Sequence, residues 1–421
     1  MERWYIKDKM EFIADLHIHS KYSRATSRDM DVKHLAEWSK LKGVTLMGTG
    51  DFTHHLWLEE LKHTLEDCGN GLYKHAGVYF MLTAEVSSIY SKAGRTYRIH
   101  NLIFSPSFKN VDRINERLSR LGNLASDGRP ILGLDAEELA RIIFDIDENC
   151  MIIPGHIWTP WFSVFGSMSG FDRIEDCFGK QTEKIFALET GLSSDPTMNW
   201  RLSALDRFTL ISNSDSHSPS KIGREANVFN CELDYKTIRE VLKTKDKKRF
   251  LYTIEFFPEE GKYHFDGHRL CGVRWSPQET KAHNGRCPKC GKSVTVGVVN
   301  RVEKLADRPV GFIPDNAIPF KNLISLDQII AEAKGVAKTS IGVERDYRSY
   351  LANFGTEFDI LMRAPKENLL KRLPSKVVEG VMRARAGKIN IKPGYDGEYG
   401  IISIFDQDMP EKKSEEQLKL F

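Results

Sequence analysis

No apolar run in this sequence approaches the 18 or more residues of a membrane-spanning helix. The segment MERWYIKDKMEF is charged throughout and has no apolar h-region, so no secretory leader is expected. Charge of one sign is also missing. There are 61 Lys and Arg against 58 Asp and Glu, a net of +3. The whole-chain balance therefore does not announce nucleic acid, and any basic surface must be local. Cysteine is sparse and odd in number, at seven. Cys68, Cys150, Cys177 and Cys231 are scattered through apolar segments and read as reduced core thiols. That fits a reducing cytoplasm. No internal repeat is visible. What remains is a 421-residue chain, 41% hydrophobic and 28% charged, long enough for two or three globular domains.

The strongest signal is a set of imidazoles and carboxylates where short apolar runs end. HIHS carries His17 and His19, and TGDF carries Asp51. AEVSS carries Glu85, YRIHN carries His100 and PGHIW carries His156. SNSDSH carries Asp215 and His217. Strand ends are where a barrel of parallel strands displays its chemistry. A lone His there is more often packing. This many, mixed with carboxylates, predict a metal site suited to zinc, manganese or iron better than to magnesium alone.

Residues 12–258 alternate strand and helix patterns, which argues for a parallel sheet or barrel. Asp31 stands as a cap before the helical segment beginning at Val32. Residues 259–300 break the rhythm. Within them HRLC supplies His268 and Cys271, and RCPKC supplies Cys287 and Cys290. Two pairs of x2 spacing, fifteen residues apart, predict one tetrahedral structural zinc. Residues 301–405 read as a mixed α+β region, and GEYGIISIF follows a DG turn signal. Residues 406–421 read as a charged tail.

Between Lys366 and Lys392 eight basic residues, among them Arg383 and Arg385, face only Glu367 and Glu379. Such a run can bind phosphates or simply be a solvated helix face. Directly after His156, WTPWFSVFGSMSGF brings aromatic rings to a small Gly-Ser turn. An aromatic wall beside hydroxyls can stack and hydrogen-bond an extruded base, with Trp158, Ser167 and Ser169 as candidates. The bland alternative is an ordinary loop packed on the core.

HIHS, SDSH and the Glu and His between them resemble the PHP phosphoesterases. That resemblance implies a distorted (βα)7 barrel over residues 1–258 and up to three divalent metals (zinc, manganese or magnesium). The second family motif, Thr-Asp-His, reads Thr49-Gly50-Asp51 here, so Asp51, His54 and His55 compete for one ligand position. A further departure is Tyr22-Ser23-Arg24, where relatives often carry a third early His. Together with HRLC…CPKC, SNSDSHSPSKIGREAN and GVVNRVEKLADRP…IGVERDY, the barrel motifs are similar to endonuclease Q, up to about residue 405. That similarity implies nicking of DNA 5′ to uracil, hypoxanthine or xanthine and at abasic sites. On this reading His17, His19, Glu85 and Asp215 hold one metal. Glu85 bridges to a second with His100 and His156, and Asp51 and His217 complete a third. Asp215, Glu85 and His156 are the expected catalytic residues. Lys221 and Arg224 are either phosphate clamps or surface charges.

A small-molecule phosphatase acting on a histidinol-phosphate-like substrate is the alternative, and a catalytically dead DNA-binding module is a third possibility. The segment Gln417-Leu418-Lys419-Leu420-Phe421 resembles the peptide that bacterial replication proteins insert into the sliding clamp. Gln417, Leu418, Leu420 and Phe421 are its expected anchors. This implies a bacterial, cytoplasmic, nucleoid-associated protein, with no membrane partner.

Overall fold

The structure, a computed structural model, describes residues 11–405. The clamp-peptide residues Gln417, Leu418, Leu420 and Phe421 lie outside them. Ten strands organise the larger part of the chain. They are β1 (Glu11–Asp15), β2 (Leu46–Gly48), β3 (Val78–Lys92), β4 (Arg95–Ser105) and β5 (Met151–Pro154). The others are β6 (Ala187–Glu189), β7 (Thr209–Ile211), β8 (Ala226–Asn230), β9 (Phe250–Glu255) and β10 (Phe320–Asn322).

The expected parallel pairing holds for β1 with β2, β2 with β3, β6 with β7, and β9 with β10. Elsewhere it does not. β3 and β4 form a long antiparallel hairpin from Leu82–Ser105 to Lys92–Arg95. β4 with β5, β1 with β8, and β8 with β9 are also antiparallel. The hairpin has a local cause. Ala93 and Gly94 take φ of +51° and +77°, the two left-handed positions of a two-residue turn that matches strand twist.

Two seams lack a ladder and are stitched by side chains. Glu189 at the end of β6 accepts the amide of His156, just after β5, through its carboxylate. Asn213, just after β7, accepts the amide of Leu16, just after β1. Ile18 and Ser216 then form a parallel bridge. These stitches bring the ends of β1, β5, β6 and β7 together.

Strand residues are buried on both faces. In β1, Phe12 and Ala14 enter one apolar cluster and Ile13 the other, the two-residue period of a strand. The helix Val32–Lys42 buries Val32, Leu35 and Ala36. Asp31 caps it as expected, accepting the amide of His34.

The sheet does not stop at residue 258. β10 pairs with β9, and Arg308 reaches back to Asp206 at 2.5 Å. The boundary expected at 301 is therefore not where the chain changes partners. A separate helical core follows, built on Ile329, Ile330, Tyr347, Val377, Val378 and Val381. Residues after it return to the cysteine-bearing segment. There the Asp396 carboxylate accepts the amide of Arg269 and the hydroxyl of Thr295, both at 2.6 Å. The apolar cluster of that segment has only Val273, Trp275, Cys287 and Val294 as buried members. A core so small needs a staple to hold its shape.

Candidate metal centre

Five side chains surround Glu85: His17 and His19 just after β1, His156 just after β5, Asp215 after β7, and His100. Glu85 and His100 lie in the middle of the long β3–β4 hairpin rather than at strand ends as expected. Glu85 Oε2 lies 3.1 Å from His19 Nε2 and 3.5 Å from His17 Nε2. Asp215 Oδ1 lies 3.1 Å from His19 Nε2 and 3.6 Å from His17 Nε2. On the other side, Glu85 Oε1 meets His100 Nδ1 at 2.6 Å and His156 Nε2 at 3.2 Å. The result is two groups that share Glu85: His17, His19 and Asp215 with it, and His100 and His156 with it. All six were predicted from the sequence.

Whether these residues fit metal ions is tested by their unmet bonding capacity. His17 Nε2, His19 Nε2 and Asp215 Oδ1 are buried yet have no hydrogen-bond partner. Buried polar atoms are rarely left so. Here three of them point at one spot, and nitrogen with carboxylate oxygen is a donor set for a transition-type divalent ion. The electrostatics agree. Burial opposes a charge on His17 and His19, but Glu189, Asp51, Asp215 and Glu85 outweigh it and hold both well above the ordinary imidazole range. The carboxylates call for positive charge. Burial likewise opposes charge on Glu85 and Asp215. His100, Arg129 and His17 keep Glu85 well below the carboxylate range, and His17 and His19 do the same for Asp215. Burial pushes His100 down to about 4, so its imidazole is neutral and a lone pair is free to ligate.

Behind the imidazoles stands an outer layer, half of which the sequence reading missed. Glu189 accepts from His17 Nδ1, with 3.1 Å to each oxygen, and from Asn213 Nδ2 at 2.8 Å. Asp51 plays the same part for His19. Its Oδ1 lies 3.0 Å from His19 Nδ1. Its Oδ2 accepts from the Ser20 amide, the Ser20 hydroxyl and the Ser23 hydroxyl, at 2.6, 2.7 and 2.9 Å. Asp51, expected as a ligand, stands outside both groups, with one oxygen on His19 and the other on Ser20 and Ser23. Such carboxylates fix the tautomer and aim of a metal-binding imidazole. Glu189 ends the strand Ala187–Glu189, the kind of position at which the sequence reading looked for ligands, so a sign existed.

His217 is not in either group. Its Nδ1 faces the Asp215 carbonyl at 3.0 Å, and its ring packs on His19 at 4.5 Å. Among the described residues, no third group of three assembles around Asp51 and His217. His54, the alternative to Asp51, is stacked on Tyr22. Arg129, which the sequence reading did not single out, lies at the rim with Nη1 3.1 Å from Glu85 Oε2. Nothing in the local sequence Asp127-Gly128-Arg129-Pro130 marks it.

Backbone strain gathers here. Asp51, His156 and Asp215 take φ of +49°, +29° and +46°, a region costly for residues with a Cβ. Gly191 answers a second constraint. Its φ is +63°, and a Cβ on it would lie 2.4 Å from the His156 Cβ.

Four nucleic-acid candidates have partners inside the protein. Trp158 is buried and donates Nε1–H to Asn199 Oδ1 at 2.8 Å, so it cannot stack on a base. Ser169 is buried and its hydroxyl accepts the Phe162 amide. Arg224 donates to the carbonyls of Ser214 and Asp215, bracing the loop of Asp215 from behind rather than facing a phosphate. Arg385 donates to the carbonyls of Ile360 and Leu361. Arg383 lies 3.8 Å from Glu379. Ser167 is half-buried, and the exposed tips of its loop are Trp161 and Met168. Lys221 lines a cavity of about 130 Å³ between the sheet and the helical core, with Lys42, Lys338 and Glu260. His268, Cys271, Cys287 and Cys290 do converge as one group. Left-handed Gly272 and Gly291 each follow the second member of their pair, Cys271 and Cys290, at φ of +62° and +72°.

Residues 325–388 match the family described as the MJ0043 C-terminal domain. The protein MJ0043 of Methanocaldococcus jannaschii is 32% identical over 66% of this chain. The chain spans 36% of that relative's length. The lesion-specific endonuclease PfuEndoQ of Pyrococcus furiosus is 32% identical with a TM-score of 0.84, covering 95% of this chain and 98% of that one. The chain belongs to the endonuclease Q family. An endonuclease Q in complex with a 27-mer duplex, an abasic lesion at its active site, is 33% identical with a TM-score of 0.83. That match covers 94% of this chain and 97% of the other. YqxK of Bacillus subtilis is 28% identical over 92% of this chain and 98% of its own length. PfuEndoQ is archaeal while YqxK is bacterial, so similarity does not assign a bacterial source.

Proposed function

We propose that this protein is a metal-dependent DNA repair endonuclease. It hydrolyses a phosphodiester beside a lesion, at abasic sites and 5′ to deaminated bases. The observation that carries the reading is the near full-length likeness to a lesion-specific endonuclease, joined to a two-part metal-type cluster built around Glu85. His17, His19, Glu85 and Asp215 are the proposed ligands of one ion, and Glu85, His100 and His156 of a second. Divalent ions so held supply an activated water and offset charge on the phosphoryl group. Zinc and manganese suit the donors better than magnesium alone. Glu189 and Asp51 fix the two N-terminal imidazoles. Arg129, at the rim, is placed to meet a phosphate oxygen by a charge-assisted bond.

The cysteine group is proposed as a structural zinc, and the barrel around β1–β7 as a distorted PHP-type barrel. Trp161, Met168 and Ser167 replace Trp158 and Ser169 as the surface offered to an extruded base. The clamp peptide at Gln417–Phe421 remains a proposal, tested by pull-down with and without those five residues.

The deciding experiment is incubation with manganese or magnesium of duplexes carrying one uracil, hypoxanthine, xanthine or abasic site. Nicking of lesion strands and none of undamaged DNA is expected. Release of phosphate from small phosphomonoesters, with every duplex intact, would replace this reading by a phosphatase.

A further inference from the structure

We infer that Arg301 is a positioning residue for lesion discrimination: it ties the base-reading loop to the cysteine-bearing module, so that this module sets the shape of the pocket. The inference rests on the proposed lesion-nicking function.

The loop runs from Trp158 to Asp172 and is held at two ends. One end belongs to the metal-type cluster. The His100 amide donates to the Phe162 carbonyl at 3.1 Å, and the Arg98 amide to the Ser169 carbonyl at 3.2 Å. His156 Nδ1 lies 3.1 Å from the Thr159 hydroxyl. The other end belongs to Arg301. Its Nε donates to the Phe165 carbonyl at 2.9 Å. Its Nη2 donates to the Phe171 carbonyl at 2.9 Å and to Asp172 Oδ1 at 2.6 Å. Arg301 is 7% exposed, and every acceptor it uses in these three bonds lies in the loop.

Arg301 is itself held from the far side. It sits on the helix Val298–Leu305. Asp266 grips the start of that helix, accepting the Gly297 amide at 2.6 Å and Asn300 Nδ2 at 2.5 Å. Asp266 is fully buried and also accepts the Thr280 hydroxyl. It lies on the strand Asp266–His268, whose last residue belongs to the four-ligand cysteine group. Gly297 is required for this approach, since a Cβ would come within 2.5 Å of the Phe265 backbone. The chain of contact is therefore continuous: ligand strand, Asp266, helix, Arg301, loop, His100. The exposed aromatic surface spans the same seam. Trp161 of the loop meets Tyr263 edge-on at 5.4 Å.

The chemistry singles out arginine. A planar fork satisfies two carbonyls and a carboxylate in one fixed geometry, which a lysine ammonium cannot reproduce. Removing it leaves buried carbonyls unpaired at the root of the loop, while the cluster end stays anchored. Reading a base needs a rigid pocket; an abasic site presents no base to read.

The test uses the full chain with Arg301→Lys, Arg301→Met and Asp266→Asn. Steady-state nicking of uracil and abasic duplexes is measured beside hydrogen exchange of loop and cysteine-module amides. The expected result is a tenfold or larger fall in kcat/KM for uracil relative to abasic DNA. Exchange of residues 159–172 should rise, and Arg301→Lys should recover only part of the discrimination. In the Arg301 variants exchange around Cys271 and Cys287 should stay at the wild-type level. Equal loss on both substrates, or loop exchange unchanged in every folded variant, overturns the inference. If Arg301→Met does not fold, Arg301→Lys and Asp266→Asn give the same readings. If the wild type cuts no lesion DNA, the functional proposal falls, and the exchange arm still decides whether Arg301 couples the two modules.

Discussion

Glu189 offers the sharpest test of how the centre is built. Each of its oxygens is committed to donors. Oε1 takes His17 Nδ1 and Asn213 Nδ2, and Oε2 takes His17 Nδ1 and the His156 amide. Glu189→Gln keeps the shape and replaces one oxygen by an NH2 group. Whichever way the amide turns, that NH2 faces a donor: Asn213 in one orientation, the His156 amide in the other. One buried hydrogen bond is lost and a donor left unpaired, about 1–3 kcal/mol of stability. His17 also loses its charged acceptor. Partners behind metal-binding imidazoles are typically worth about 10- to 100-fold in metal affinity, or roughly 1.4–2.7 kcal/mol. Affinity is read by competition with a chelating dye, and stability by urea denaturation of the metal-free chain. A residue that only aims His17 should be compensated by excess metal, with nicking restored as manganese rises. Metal affinity within twofold of wild type, or a nicking defect that no metal concentration repairs, would refute this account.

Gly191→Ala should displace His156, because a Cβ there would clash with it at 2.4 Å and φ is +63°; metal analysis should show weakened binding at the His100–His156 pair, with activity down about tenfold or more. Trp158→Phe should cost roughly 2–4 kcal/mol by urea denaturation, since it thins a buried site and strands Asn199, while the uracil-to-abasic ratio stays fixed. His264 gives a pH test. Burial pushes it down to about 4, so the unfolded chain, titrating near 6.5, takes up the proton first. Its stabilising effect is complete above pH 6.5 and is lost as pH falls towards 4. His264→Gln should remove up to about 3 kcal/mol of the stability difference between pH 7 and pH 4. A variant whose acid sensitivity equals the wild type's would contradict this.

The sequence by itself determined the chemistry. His17, His19, His156 and Asp215 follow short apolar strands and Glu85 and His100 sit inside longer ones, and these ligand-type residues in apolar runs were legible without any tertiary context. The cysteine pairs were equally legible, because x2 spacing is a local geometric device that needs no tertiary context. Tertiary structure decided which polar residues gather in the two metal-type groups and which stand behind them. Asp51 looked like a ligand in its motif, but long-range packing placed its oxygens on Ser20, Ser23 and His19. Glu189 had no motif, yet the seam between β5 and β6 delivered it to His17. Trp158, Arg224 and Arg385 carried a binder's side chain and were spent on buried acceptors, a fate set by neighbours 9 to 41 residues away. Local pattern fixes what a side chain can do. Which atom meets it, and so whether its capacity is free for a substrate, depends on contacts between distant segments that only the folded chain supplies.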